Sequence, residues 1–396
     1  KFAPPADLFA AGPMPKTSGQ AGNTWLVRIA GRIDDPVNRL RFLKMAGPEI
    51  LPRRRHRVLR RGPLVWILVI AMAAAAGAAL LRARATPKPS AVSHMAPNPL
   101  VAAPAANPPE VWQVESTDTS ETYSNGLWID TRYAVANHER AYLAFPANGS
   151  EAVRRTEPAG IVFHTTESSQ AAFRADDNGT LRRIGESLLD YVRRKRAYHF
   201  VIDRFGRVHR VVQETDAANH AGFSVWADSG WFYIDLNESF FGVAFEARTG
   251  PQGGAAISEA QARAAAMLVE MLRSRYKIAA ANCVTHAQVS VNPSNMRAGY
   301  HTDWAFGFPF AQVGLPDNYL LGLPSVGAFG FAYDGAPNAP DAGVYAAAER
   351  MEARLREHAA EAALGLAAYR AKLQESFRKR FEEVRRFRPP DEEGSS

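Results

Sequence analysis

The chain has 396 residues, 46% of them hydrophobic, which is enough for two domains of ordinary globular composition. Its formal net charge of +7 would suit a protein that binds nucleic acid. The segment 151–310, however, carries eighteen Lys and Arg against seventeen Asp and Glu, and much of the basic excess lies in the arginine run at 53–61. Nucleic acid is therefore not expected as a partner. Cys283 is the only cysteine, so an intrachain disulfide is excluded.

A membrane anchor is predicted in the first quarter of the chain. Residues 64–81 are eighteen positions without a charge, close to the roughly twenty apolar residues that span a bilayer as a helix. Six arginines precede them, and the positive-inside rule then places residues 1–61 in the cytoplasm and the rest of the chain outside. We therefore predict a single-pass transmembrane anchor at 62–84. A buried alanine-rich core helix and a signal peptide cleaved after the sequence RARA are the alternatives.

The segments that follow the anchor differ in composition. Residues 85–112 are rich in Pro and Ala without periodicity, which predicts a semi-rigid linker. Strand-like and helix-like segments then alternate over 113–310, and this predicts an α/β domain with a single mixed central β-sheet flanked by helices. Residues 311–341 are rich in Gly and Pro and are expected to form an extended connector.

Within 113–310 the apolar patterns mark individual elements. Strands are predicted at 160–164, 199–202, 208–212, 242–247 and 281–287, and helices at 181–194 and 258–276. The second helix opens with Ser258 and Gln261 at the spacing of a capping box. An insertion at 223–238 is rich in aromatic residues, which either face a substrate or cover the sheet.

The C-terminal region 342–396 is predicted to form one long helix or a helical pair, because apolar residues recur at intervals of three and four along one stripe. The stripe comprises Met351, Leu355, Ala359, Ala362, Leu366, Tyr369 and Leu373. It packs either against its own domain or against a partner, which includes a second copy of the chain.

Three candidate metal ligands each stand at the end of a predicted strand or in a following loop: His164, His286 and Asp303. A single histidine at a strand end is more often structural than a ligand. Two imidazoles and a carboxylate, however, are typical of catalytic zinc, which takes three protein ligands and leaves a fourth position open for water. The two imidazoles also favour zinc over magnesium or calcium. One sheet can bring the three residues together, so a zinc site is predicted.

The segment 158–310 resembles the zinc-dependent N-acetylmuramoyl-L-alanine amidases, whose fold is shared with the peptidoglycan recognition proteins. The matching stretches are IVFHTTES, YHFVIDRFGRVHRVV, AANHAG, SFFGVAFEA, NCVTHAQVSVNP and GYHTDWAFGFPF. The resemblance implies that His164, His286 and Asp303 bind Zn²⁺. It also implies that a zinc-activated water hydrolyses the amide between N-acetylmuramic acid and the L-alanine of peptidoglycan.

The same resemblance implies roles for four further residues. Tyr198 matches a catalytic position, and His301 stands where many relatives carry a lysine that stabilises the oxyanion. Because an imidazole titrates near 6.5, the contribution of His301 is expected to depend on pH. His220 and Asn219 are assigned to the substrate groove. The alternatives are a strand aromatic for Tyr198, an exposed loop residue or a ligand in place of Asp303 for His301, and a turn cap for His220.

The sequence thus predicts an amidase anchored in the bacterial inner membrane, with its N-terminus in the cytoplasm and its catalytic domain in the periplasm, acting on peptidoglycan or muropeptides. One alternative is a recognition module of the same fold that binds muropeptides without hydrolysing them. Another is a tether that holds the wall to the membrane, with the C-terminal helix recruiting a partner or forming a homo-oligomer.

Overall fold

A computed structural model of the chain describes residues 107–149, 151–251, 253–333 and 342–388. The predicted cytoplasmic segment, the transmembrane anchor at 62–84 and nearly all of the linker lie outside these ranges and stay predictions. Within the described ranges, none of the helices is long and apolar enough to cross a membrane.

The described residues form an α/β fold of strands and helices with short connections. The strands are β1 (Gln113–Ser116), β2 (Ser120–Tyr123), β3 (Trp128–Asp130), β4 (Tyr142–Pro146), β5 (Val153–Arg155), β6 (Gly160–Thr165), β7 (Phe200–Ile202), β8 (Val208–Arg210), β9 (Val225–Ala227), β10 (Trp231–Ile234), β11 (Phe240–Phe245), β12 (Cys283–Thr285), β13 (Val291–Asn292), β14 (Arg297–Ala298) and β15 (Ala332–Tyr333). The α-helices are α1 (Asn178–Lys195), α2 (Leu236–Ser239), α3 (Glu259–Tyr276), α4 (His286–Val289), α5 (Pro324–Gly327), α6 (Gly343–Glu361) and α7 (Leu366–Phe387).

The central sheet is mixed and has eight strands in the order β1-β2-β3-β8-β7-β11-β6-β12, which confirms the predicted α/β class with a mixed central sheet; the described residues also form a second sheet and a third, which were not predicted. Its middle strands β6 and β11 are buried along their whole length and pair in parallel. Continuous apolar runs are typical of such strands, because helices cover both faces of a parallel sheet. Strand β12 adds to β6 and β7 adds to β11, both in parallel, so these four strands end at the same edge.

Alternation of side chains along β6 separates the two faces of the sheet. Ile161 and Phe163 pack in the cluster that contains the buried face of α3. Val162 packs on the opposite face, with residues of the second sheet. His164 therefore points to the same side as Val162, away from the main core.

The predicted helices are confirmed, with small shifts of their ends. The first runs from Asn178 to Lys195, three residues earlier than predicted. The second carries the predicted capping box: the Gln261 backbone N–H donates to Ser258 Oγ at 3.1 Å, and the Ser258 N–H donates to Gln261 Oε1 at 3.1 Å. These two bonds satisfy N–H groups that have no partner inside the helix.

The predicted strand at 281–287 is wrong over part of its length. Only β12 is extended; a 3-10 turn, Ala280–Asn282, precedes it. His286 begins the short helix α4, because Thr285 and Gln288 form a second capping box that starts a helical turn there. The candidate ligand therefore stands at a helix start and not on a strand.

The aromatic insertion at 223–238 covers the sheet. It forms the hairpin β9–β10, which joins β4 and β5 in a second sheet of order β5-β4-β10-β9. Trp226 and Tyr233 are buried against Val162 and Phe240 of the central sheet. The Trp226 indole N–H donates to Asn282 Oδ1 at 3.1 Å. The sequence left two roles open for these aromatic residues, facing a substrate or covering the sheet; Trp226 and Tyr233 cover the sheet.

The expectation of an extended connector at 311–341 is wrong for its described part. Residues 310–333 form two 3-10 turns, Phe310–Val313 and Asn318–Leu321, then α5 and β15. Several of their apolar side chains, among them Phe329 and Phe331, are fully buried, whereas Leu320 and Leu321 are exposed. Gly and Pro here permit sharp turns, and burial of the apolar residues between them stabilises the packing of the segment against the domain. Residues 334–341 lie outside the described ranges.

The C-terminal region is the helical pair α6 and α7, and α7 packs on its own domain. Phe377 and Val384 are buried in a cluster with Phe145 of β4 and Phe331. The guanidinium of Arg380 also lies 4.8 Å from the centre of the Phe232 ring. The predicted stripe is not continuous: Leu355 and Ala359 are buried, whereas Ala362 lies at the break between the helices and is exposed.

We expect Phe377→Ala to destabilise the domain by about 3–5 kcal/mol, because it leaves a cavity beneath α7 in place of a side chain that is 1% exposed. The measurement is the midpoint of urea unfolding. Lys372→Ala on the exposed side of the same helix is the control, with an expected change within about 0.5 kcal/mol. Equal midpoints for the two variants would contradict the packing of α7 on the second sheet.

Candidate metal centre

The three predicted ligands come together at the edge where the parallel strands end. His164 is the fifth residue of β6 and pairs with Ala244 of β11. His286 follows β12 directly, and Asp303 lies in a loop after β14. One donor atom from each residue lies within 4.8 Å of the others, so the group could hold a metal ion. The central sheet thus positions His164 and His286, whereas Asp303 reaches the same place from a loop that follows another sheet.

Local contacts explain how distant parts of the chain meet here. The capping box of Thr285 and Gln288 fixes the first turn of α4 and with it the backbone of His286. The Ala287 N–H then donates to the Asp303 carbonyl oxygen at 3.2 Å, which ties the two ligand segments together. Trp304 follows Asp303 with φ +58 and is fully buried, so its side chain anchors the loop in the core.

The spacing of the donor atoms suits a small tetrahedral ion. His286 Nδ1 lies 2.9 and 3.1 Å from the two Asp303 carboxylate oxygens. His164 Nδ1 lies 3.4 Å from Asp303 Oδ2. Zinc bonds of about 2.0–2.1 Å in a tetrahedron place neighbouring donors about 3.3–3.4 Å apart. The residues present therefore fit this ion in both donor type and spacing.

The electrostatics keep the donors in the states that a metal requires. Burial by itself raises the pKa of Asp303, but the charges and hydrogen bonds of His286 and His164 outweigh it and hold the pKa well below its usual range. Burial, reinforced by the nearby His286, lowers the pKa of His164 to about 4. At neutral pH Asp303 is therefore ionised and His164 is neutral, and both can coordinate a cation.

Tyr198 stands beside the three ligands in a strained conformation. Its ring centre is 5.1 Å from that of His164. Its φ is +62, a left-handed value that is costly for a bulky residue and is concentrated at functional sites. Burial, and then the negative charge of Asp303, raise the pKa of Tyr198. The hydroxyl is thus protonated at neutral pH and available as a hydrogen-bond donor.

His301 lies at the rim of the site. Its ring stacks on that of His286 with centres 4.4 Å apart and planes at 22°. The residue is exposed, but His286 covers one ring face; this desolvation, followed by the charge of His286, lowers the pKa of His301 to about 4. The ring is therefore neutral at neutral pH. His301 is therefore both exposed, as the loop alternative states, and adjacent to the candidate ligand His286, as the catalytic interpretation requires.

His220 and Asn219, which were assigned to substrate, make internal contacts in the structure. His220 Nδ1 lies 3.1 Å from His164 Nε2, and His220 Nε2 lies 3.2 Å from the Phe240 carbonyl oxygen. The Asn219 amide donates to the Lys195 carbonyl at the end of α1. The His220 ring could reach a substrate only by giving up one of these bonds, and both substrate assignments stay predictions.

Asn237 was not among the predicted site residues, but its side-chain oxygen accepts hydrogen bonds from three consecutive backbone N–H groups of the loop that carries His220. The residue lies in the short helix α2, whose four residues are too few to show a periodic pattern in the sequence. It belongs to the insertion at 223–238, which was noted for its aromatic residues, and it precedes the recognised stretch SFFGVAFEA, so the available signal was one of position and not of residue type.

Comparison with known proteins identifies the segment that carries the site. Residues 154–303 match the family model described as N-acetylmuramoyl-L-alanine amidase, and this range contains all three ligand candidates. The chain thus carries a domain of the N-acetylmuramoyl-L-alanine amidase family, a family of hydrolases. None of the curated proteins compared with the chain matches it.

Solved structures of amidases are also similar to the chain. The amidase AmiD from E. coli, solved with the substrate anhydro-N-acetylmuramic acid-L-Ala-D-gamma-Glu-L-Lys, is 22% identical with a TM-score of 0.30; the match covers 39% of this chain and 56% of that one. AmpDh3 from Pseudomonas aeruginosa is 20% identical with a TM-score of 0.29, covering 42% and 63%. The amidase LysC from Clostridium intestinale is 21% identical with a TM-score of 0.24, covering 46% and 95%. The chain therefore spans less than two thirds of the first two structures.

We expect the purified full chain to bind one equivalent of zinc and to be stabilised by it. At a free zinc concentration of 100 times Kd, the gain is about 2.7 kcal/mol. His286→Ala should abolish both effects, because it removes one of three donors. His358→Ala, on the exposed face of α6, should leave both unchanged. The measurements are metal analysis after dialysis and thermal unfolding with and without zinc; equal binding by the two variants would contradict the site.

Proposed function

We propose that the chain is a zinc-dependent N-acetylmuramoyl-L-alanine amidase, which hydrolyses the amide bond between N-acetylmuramic acid and the L-alanine of peptidoglycan. The observation that carries this proposal is the convergence of His164, His286 and Asp303 within 4.8 Å, inside the segment that matches the amidase family model. The match to that family indicates which bond is cleaved, and the set of candidate ligands indicates that a metal ion assists the hydrolysis.

The donor set favours zinc over other divalent ions. Two imidazole nitrogens and one carboxylate are common ligands of catalytic zinc, whereas magnesium and calcium prefer oxygen donors throughout. Three protein ligands also leave a coordination position for water or substrate, as catalysis requires and a closed structural site does not allow. What the ion supplies when bound is Lewis acidity, which polarises the scissile carbonyl and lowers the pKa of water towards about 7.

The residues of the chain perform the remaining tasks. His164 and Asp303, both buried, would hold the ion where the parallel strands end and would keep bulk water from its inner side. Tyr198 keeps its proton, so its hydroxyl can donate a hydrogen bond to the oxyanion that develops on the scissile carbonyl. His301 is neutral at neutral pH, and its ring N–H at the rim can serve as a second donor. The predicted pH dependence of His301 then falls in the acid range and not near 6.5.

We expect the wild-type chain to release stem peptides from purified peptidoglycan and to lose this activity on chelation. His286→Ala should be inactive. Tyr198→Phe keeps the ring but removes the donor, so kcat should fall roughly 10²–10³-fold with KM little changed. The products are identified by mass spectrometry, with His358→Ala as the unaffected control. If the chain binds one zinc and binds muropeptides but does not cleave them, the result would contradict the amidase and favour the recognition module.

We also propose that residues 62–84 anchor the protein in the bacterial inner membrane, with the amidase domain in the periplasm. The support is the uncharged stretch at 64–81 and the six arginines before it. The linker at 85–112 would hold the domain away from the bilayer.

We expect the full chain to sediment with membranes and to resist extraction by carbonate, since an inserted helix is held by its apolar surface. A variant without residues 1–84 should be recovered in the soluble fraction. Protease added to spheroplasts should digest the amidase domain of the full chain and leave a cytoplasmic control protein intact. Protection of the domain would contradict the proposed orientation, and a soluble full chain would contradict the anchor.

A further inference from the structure

The loop behind the candidate metal centre is wrapped around one side-chain oxygen. Asn237 Oδ1 accepts hydrogen bonds from the backbone N–H groups of His220 at 2.8 Å, Ala221 at 2.7 Å and Gly222 at 2.8 Å. Three successive N–H groups that converge in this way form a concave site for a negatively polarised atom. Gly222 closes the turn with φ +54. The loop conformation therefore depends on an acceptor at this position.

Asn237 is itself held in place on both sides. Its carbonyl oxygen accepts from the Ala218 N–H at 3.4 Å, and the Leu236 N–H donates to the Gly222 carbonyl at 3.0 Å. Two residues before it, the buried Asp235 accepts a hydrogen bond of 2.9 Å from Arg388, next to the end of α7. The acceptor thus belongs to a rigid frame and not to a mobile loop.

The ring of His220 lies in a narrow slot. It rests directly over the backbone of β11, where a Cβ added to Gly242 would come within 2.6 Å of His220 Cγ. Any displacement of the His220 backbone would push the ring against this strand or away from His164. The three bonds to Asn237 therefore determine where the His220 nitrogens lie.

Those nitrogens form a chain of hydrogen bonds that ends at the metal position. The Phe240 carbonyl can only accept, so His220 Nε2 carries a proton and donates to it at 3.2 Å. His220 Nδ1 is then an acceptor, and it takes the proton of His164 Nε2 at 3.1 Å. His164 is left with a lone pair on Nδ1, the atom that lies 3.4 Å from Asp303 Oδ2. The hydrogen bond to His220 thus selects the His164 tautomer that a metal needs, with the proton on Nε2 and the lone pair on Nδ1.

We propose that Asn237 is a positioning residue of the metal centre: by holding three N–H groups it fixes His220, and His220 in turn presents Nδ1 of His164 to the ion. This inference rests on the zinc site of the proposed function and adds a further layer to it. Partners that orient metal-bound histidines in this way are worth about 10–100-fold in metal affinity.

The test measures zinc affinity of the full chain by competition with a chelating dye. Asn237→Ala removes the acceptor, and Kd should rise about 10–100-fold. Asn237→Asp keeps an oxygen in the same place, and Kd should stay within about threefold of the wild type, since the carboxylate can accept the same bonds. Asn125→Ala is the matched control, because its amide also makes hydrogen bonds, to Met267 and Glu270, but far along the chain from the ligands.

A double variant separates positioning from a general loss of stability. If Asn237 acts through His220, then Asn237→Ala should add nothing to the Kd increase caused by His220→Ala, whereas independent effects would multiply. Urea unfolding of all variants shows whether each one is folded. If Asn237→Ala does not fold, Asn237→Ser, whose shorter side chain cannot reach all three N–H groups, takes its place.

Imidazole ¹⁵N chemical shifts of the metal-free protein give a second readout, independent of zinc. The wild type should show His164 protonated on Nε2, and Asn237→Ala should show a mixture of tautomers. An unchanged His164 tautomer together with an unchanged Kd in Asn237→Ala would overturn the inference. A wild type that binds no zinc but shows the expected tautomer shift would refute the proposed function and leave the positioning role of Asn237 standing.

Discussion

The parallel pairing of β6 with its two neighbours is the interaction on which the rest of this structure depends. It places the ends of β6, β11 and β12 at one edge of the sheet, where His164 stands beside Ala244 and His286 follows the last strand. Alternation along β6 then decides which residues enter the main core and which face the site. A shift of one residue would turn His164 into the core and Phe163 towards the metal position, so burial of the apolar face also fixes the ligand.

Around this edge the structure is built in successive layers. His164, His286 and Asp303 form the inner layer, and His220 stands behind the first of them. Asn237 holds the His220 loop, and Arg388 reaches the same segment from the C-terminal end of α7. The C-terminal helices, which could have served a partner, instead cover the second sheet of the same domain. Arg388 and the segment around Asp235, which are 153 residues apart in the chain, thus both contribute to the position of His220.

Local sequence patterns were sufficient to predict some secondary-structure elements and not others. The strand that carries His164 and the capping box of Ser258 and Gln261 were predicted correctly, because each is set by apolar periodicity or by a bond between residues close in sequence. The strand predicted through His286 and the extended connector after residue 310 were wrong. There, a capping box and the burial of aromatic side chains overrode the local preference.

The sequence by itself determined the class of fold, the family to which residues 154–303 belong and the three candidate ligands, since these follow from apolar patterns and from residue types at recognisable positions. Only the tertiary structure decided that α7 covers its own domain and that the aromatic insertion covers the sheet. It also decided that His220 faces His164 and that Asn237 holds its loop. The physical reason is that hydrogen bonds between distant segments depend on which faces the packed sheet brings together, and no local pattern encodes this.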